Sequence, residues 1–96
     1  MRRLPTGFRN WDHYDQAVYL LRYGPASSSM LRSVIRLLAV ASQNLRRDNI
    51  AEALPSGFGR MTRIGQSLYL LVNVHRSYWN CIYAIRLLIC ALEEFV

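Results

Sequence analysis

Residues 75–96 read HRSYWNCIYAIRLLICALEEFV, and the fold turns on how this stretch is housed. Between Arg76 and Glu93 only Arg86 carries a formal charge, with uncharged runs of nine residues before it and six after it. A membrane-spanning helix needs about 20 mostly apolar residues. An arginine at mid-span costs roughly 2.5–3.5 kcal/mol on the insertion scale. The stretch therefore argues against a span. It reads as a helix apolar nearly all round, suited to the centre of a bundle or to an interface. Tyr78, Trp79, Ile82, Ile85, Leu88, Ile89 and Leu92 recur at helical spacing.

Working backwards, residues 61–76 lack proline, and Met61, Ile64, Leu68, Leu71, Val72 and His75 share a helix face. A break near Asn73–Ser77 is favoured over one continuous helix, because Ser77 can cap a new one. SLYLLVNV also contains strand-forming residues, so a strand is the alternative there. Upstream, PSGFG is a turn. Asn49 with Glu52 suggests a capping box opening a short helix from Ile50 to Leu54, stopped by Pro55.

The clearest element is SSSMLRSVIRLLAVASQNLRR, residues 27–47. Ser28 or Ser29 would cap it. Leu31, Val34, Leu38, Ala41 and Leu45 form an inward face, and Arg32, Arg36, Gln43 and Arg47 an opposite one. Before it, NWDHYDQAVYLLRYGP predicts a helix with Asn10 as N-cap. Asp12 sits in its first turn, Gly24 supplies a left-handed terminal residue, and Pro25 prevents continuation. Residues 1–9 read as a basic N-terminal arm that Leu4 and Phe8 could dock, and residues 10–96 as one helical domain. No internal repeat and no low-complexity tract is read along the chain. The expected fold is all-α, a small bundle of four to five helices completed by oligomerisation.

Ninety-six residues bury only about 60–65% of their unfolded surface, yet 52% of this chain is hydrophobic. The excess implies that a second molecule covers part of the apolar surface. All twelve basic residues are arginine, against six acids, for a net charge of +6. Phosphate binding tolerates lysine as well as arginine, so the complete absence of lysine points to a codon constraint on the gene. In this respect the whole chain resembles small viral accessory proteins encoded in overlapping frames, with the paramyxovirus C proteins one possible relative. No motif is shared residue by residue. The resemblance implies a protein that binds and modulates a host or viral protein.

The chemistry-bearing residues are sparse. Cys81 and Cys90 are nine apart, so on one helix they point to opposite faces and cannot bond to each other. They read as reduced thiols of a cytoplasmic or nuclear protein, and MRRLPTGFRNWDHYD has no apolar run of a secretion signal. His13 and His75 have no neighbouring ligand at metal spacing, so no metal or cofactor is expected. Asp12, His13 and Asp15 are explained by the helix dipole, and no nucleophile elbow exists, so the expected protein is not an enzyme. GFGR matches no phosphate-loop pattern. Trp11, Tyr14, Tyr78, Trp79, Ile82 and Arg86 are the candidate partner-binding residues, since aromatics and arginine dominate interaction hot spots. The alternative is duplex RNA read through its phosphates by Arg32, Arg36, Arg46, Arg47, Arg60 and Arg63. Peripheral contact with anionic lipid is a third class.

Overall fold

The computed structural model describes residues 3–48 and 53–95. Four α-helices carry the fold: α1 His13–Tyr23, α2 Ser28–Ser42, α3 Arg63–Asn73 and α4 Tyr78–Glu93. A short 3-10 turn precedes each hairpin, at Phe8–Asn10 and at Phe58–Arg60. The expected all-α class is what is seen, with four helices among the described residues and SLYLLVNV inside α3. The break before Ser77 is present, and Ser77 caps α4 by accepting the Asn80 N–H.

The absence of a repeat is overturned. Residues 4–42 and 54–92 are the same unit displaced by fifty positions, with fourteen identical residues. LPTGF answers LPSGF, Gln16 answers Gln66, Tyr19-Leu20-Leu21 answers Tyr69-Leu70-Leu71, and Ile35-Arg36-Leu37-Leu38 answers Ile85-Arg86-Leu87-Leu88. The local hydrogen bonds repeat as well. Phe8 and Phe58 each donate N–H to the proline three residues back at 3.1 Å. Gln16 and Gln66 each donate from Nε2 to the carbonyl of that phenylalanine at 2.8 Å. Gly7 and Gly57 hold φ at 79° and 86°, left-handed backbone that glycine adopts without a Cβ penalty. Residues 4–10 are thus the opening of the first repeat and pack on α1, rather than an appended basic arm.

The caps follow the repeat rather than the earlier expectations. Asp12 accepts the Asp15 N–H at 2.7 Å and caps α1, and Thr62 does the same for α3 through Gly65. Asn10 lies in the 3-10 turn instead. Ser27, not Ser28 or Ser29, caps α2. Gly24 has φ −80° and is not left-handed. It is glycine because a Cβ there would lie 2.6 Å from the Leu20 carbonyl oxygen. α2 ends at Ser42, so Arg47 leaves the helix face that Arg32 and Arg36 occupy. Of the short helix expected from Ile50 to Leu54, the first three residues lie outside the described ones. Ala53 and Leu54 are not helical.

Each repeat folds as an αα-hairpin, α1 on α2 and α3 on α4. Between hairpins, α2 packs on α4 and α1 on α3, so each helix meets its own counterpart. In a stacked solenoid the counterparts would run parallel; here Arg46, just beyond the end of α2, accepts the N–H of Tyr78 at the start of α4, and Tyr14 at the start of α1 reaches Leu71 at the end of α3. Counterparts packed antiparallel are the pattern of a two-fold, here formed within one chain. The core is the product: Leu31, Val34 and Leu38 of α2 are completely buried, as are their counterparts Cys81, Ala84 and Leu88 of α4. The Cα radius of gyration is 13.0 Å, that of one compact domain of about 100 residues.

Polar contacts that join the repeats break the symmetry. The Tyr14 hydroxyl, buried under α3, donates to the Leu71 carbonyl at 2.5 Å. That carbonyl is in the last turn of α3, where helical N–H donors have run out. Arg76 stacks 3.9 Å above the Tyr14 ring and pairs with Asp15 at 2.8 Å and Asp12 at 3.6 Å. The counterparts of these four residues are Ile64, Ala26, Gly65 and Thr62, so the cluster occurs once. Burial pushes the Tyr14 hydroxyl well above the usual phenol range and the Cys81 thiol up to about 11. Cys81 is therefore a protonated core thiol, on the face of α4 opposite Cys90.

Candidate protein-binding face on helix α4

α4 buries Cys81, Ala84, Leu88 and Ala91 against α2 and α3. These positions recur every three or four residues and use up one side of the helix. The other side carries Trp79, Ile82, Tyr83, Arg86, Ile89, Cys90 and Glu93. Trp79 is 40% exposed, Tyr83 51% and Ile89 42%. Arg86 and Glu93 are exposed as well, and Ile82 and Cys90 are half-buried.

The duplication supplies an internal reference. α2 stands at the equivalent place, and its outward positions are Ser29, Arg32, Ser33, Arg36, Ala39, Val40 and Gln43. Position by position, Ser29 is replaced by Trp79, Arg32 by Ile82, Ser33 by Tyr83 and Ala39 by Ile89. The fold is satisfied by a polar or small residue at each of these places. Repeat two puts large apolar side chains there. Large exposed apolar areas on a small domain mark contact surfaces more often than accidents of composition. Arg86 lies mid-stripe with its guanidinium 5.9 Å from the Tyr83 ring. Neither Arg86 nor Glu93 has an ion-pair partner among the described residues.

The six residues proposed from sequence for partner binding separate into three groups. Trp79, Ile82 and Arg86 share the outer face of α4. Tyr78 sits at its edge, half-buried, with Arg47 stacked 4.0 Å over its ring and its N–H donated to the Arg46 carbonyl. Trp11 belongs elsewhere, in a cluster with Phe8, Tyr19 and Tyr23 whose ring centroids lie 4.9–5.6 Å apart. This cluster borders an open groove of about 420 Å³ that Asp15, Val18 and Arg22 complete. Tyr14 is a correction: at 3% exposure it is a core residue and offers nothing to a partner. Sequence reasoning missed Tyr83, Ile89, Cys90 and Glu93, although Trp79, Tyr83, Arg86, Cys90 and Glu93 form one stripe at helical spacing.

The arginines expected to meet phosphates are mostly engaged within the chain. Arg46 pairs with Asp48 at 3.2 Å, Arg47 stacks on Tyr78, and Arg63 pairs with Glu94 at 3.2 Å. Arg60 lies in the second 3-10 turn, on the other repeat from Arg32 and Arg36. What remains on α2 is Arg32 and Arg36, exposed and one turn apart. Two cations neutralise few phosphates, so the counterion-release contribution available to them is small.

Among the described residues, no group of three His, Cys, Asp or Glu side chains could hold a metal ion. No helix there is long and apolar enough to cross a membrane. No family model matches the chain, and no curated protein or solved structure matches it.

Proposed function

We propose that this chain is a small helical interaction protein that binds another protein through the outer face of α4. The observation that carries the reading is the contrast between equivalent positions of the two repeats. At four outward positions α2 carries Ser29, Arg32, Ser33 and Ala39, whereas α4 places Trp79, Ile82, Tyr83 and Ile89 there. Aromatic anchors with an arginine among them are the side chains that dominate binding energy at protein interfaces. The lysine-free composition is in keeping with a small viral accessory factor. In that setting the bound molecule is a host or viral protein whose activity is altered by occlusion of its surface.

The test uses a photo-crosslinking amino acid placed at Tyr83, or at its counterpart Ser33, in the full chain expressed in cells. Adducts identified by mass are expected from position 83 and not from position 33. Equal labelling at the two positions, or labelling at 33 alone, overturns the reading. Adducts to nucleic acid from Arg32 or Arg36 positions would favour phosphate binding instead.

A further inference from the structure

The charges on the outer face of α4 identify what fits it. The chain as a whole carries +6, a balance that repels a second copy on most faces. This face is neutral: its charged residues are Arg86 and Glu93, both exposed and both without an ion-pair partner among the described residues. They are seven residues apart, two helical turns or roughly 10.5 Å along the axis. A nucleic acid or an anionic membrane would meet no positive excess here. A second α4 running antiparallel meets complementary charge at both places.

We infer that the outer face of α4 binds a second copy of this chain in an antiparallel, two-fold helix pair. Arg86 of each copy meets Glu93 of the other. This rests on α4's outer face being the binding surface, and it names the occupant. Pairing residue 86 with residue 93 of the other copy fixes the register, because the two numbers are exchanged by the two-fold. The axis then passes between Ile89 and Cys90. The two apolar side chains at the centre cover each other, and the charge pairs flank them on either side. Tyr83 of one copy falls near Phe95 of the other, which is 48% exposed in the single chain. An interface that is its own complement under a two-fold is the commonest kind among homo-oligomers. The same logic already operates inside the chain, where α2 packs on α4. The arginines of α2 lie outside the pair, so the assembly does not bring them together.

Sedimentation equilibrium on the full chain tests this with Arg86→Glu, Glu93→Arg and the double variant, each checked for unchanged helix content by circular dichroism. The wild type is expected to dimerise. Each single reversal sets like charges opposite one another at two symmetric places and should weaken the dimer roughly tenfold. The double variant restores complementarity and should recover most of the loss. A dimer indifferent to both reversals overturns the pairing. A monomeric wild type whose crosslinker at position 83 still captures a different protein overturns the second copy and leaves the binding face standing. A monomer whose position 83 captures nothing overturns both.

Discussion

Leu38→Ala and Leu88→Ala should each destabilise the protein by about 2–5 kcal/mol, the range for large-to-small changes that leave a cavity. Both side chains are fully buried, and they occupy equivalent positions in the two repeats. Domains of this size are stable by only about 5–15 kcal/mol, so either change consumes a large share. The internal two-fold makes the comparison informative. If α2 and α4 carry the core equally, the two losses agree to within about 1 kcal/mol. Leu54→Ala, at a 48% exposed position, is the control and should fall within about 0.5 kcal/mol of wild type. Denaturant titrations read all three, with the midpoint shifting and the slope unchanged. A large loss at Leu38 with almost none at Leu88 would mean that α4 does not share the core.

Tyr14→Phe should cost about 1–3 kcal/mol, although it removes a single oxygen. The hydroxyl is buried and is the partner of the Leu71 carbonyl at the end of α3. Deleting it leaves that carbonyl unsatisfied at the junction of the repeats, where water does not readily replace it. The ring, and with it the Arg76 stack, survives the substitution. Tyr19→Phe provides the contrast, because Tyr19 is engaged through its ring, with Phe8, Trp11 and Tyr23. It should be close to neutral. Equal effects at the two tyrosines would show that the inter-repeat hydrogen bond contributes nothing.

Much of the architecture was legible in the residues. Apolar spacing in α2 and α4 identified helices with an inward face, and Ser77 marked the break between α3 and α4. The caps at Asp12 and Ser27 were displaced by two residues or fewer, because Asn10, Ser28 and Ser29 have the same chemistry and only tertiary packing chooses among them. The repeat was hidden by divergence in core and surface alike: the buried Tyr14, Leu31 and Val34 answer Ile64, Cys81 and Ala84. Between Ser29 and Gln43, nearly every outward position differs from its counterpart in α4. What survives is the structural minimum: the LP-x-GF turn, the glutamine that caps it, and two short apolar runs. LPTGF and LPSGF set side by side are the signal that reveals it. The candidate site was only half legible, since Trp79, Ile82 and Arg86 share a face that also holds Tyr83 and Ile89. Tyr14 has the composition of a hot-spot residue, and nothing in the linear pattern separates a buried tyrosine bound to a distant carbonyl from an exposed one.

Whether α4's outer face holds another molecule can be read by using the repeat itself as the reference. Trp79→Ser, Ile82→Arg, Tyr83→Ser, Ile89→Ala and Cys90→Val together give α4, at these five outward positions, the residues that α2 already carries in the same fold. Light scattering should then find the wild type heavier than its 11.1 kDa monomer. The five-fold variant should be a monomer of unchanged helix content. A variant that keeps the wild-type mass contradicts binding through this face, and a wild type of monomer mass contradicts the second copy as its occupant.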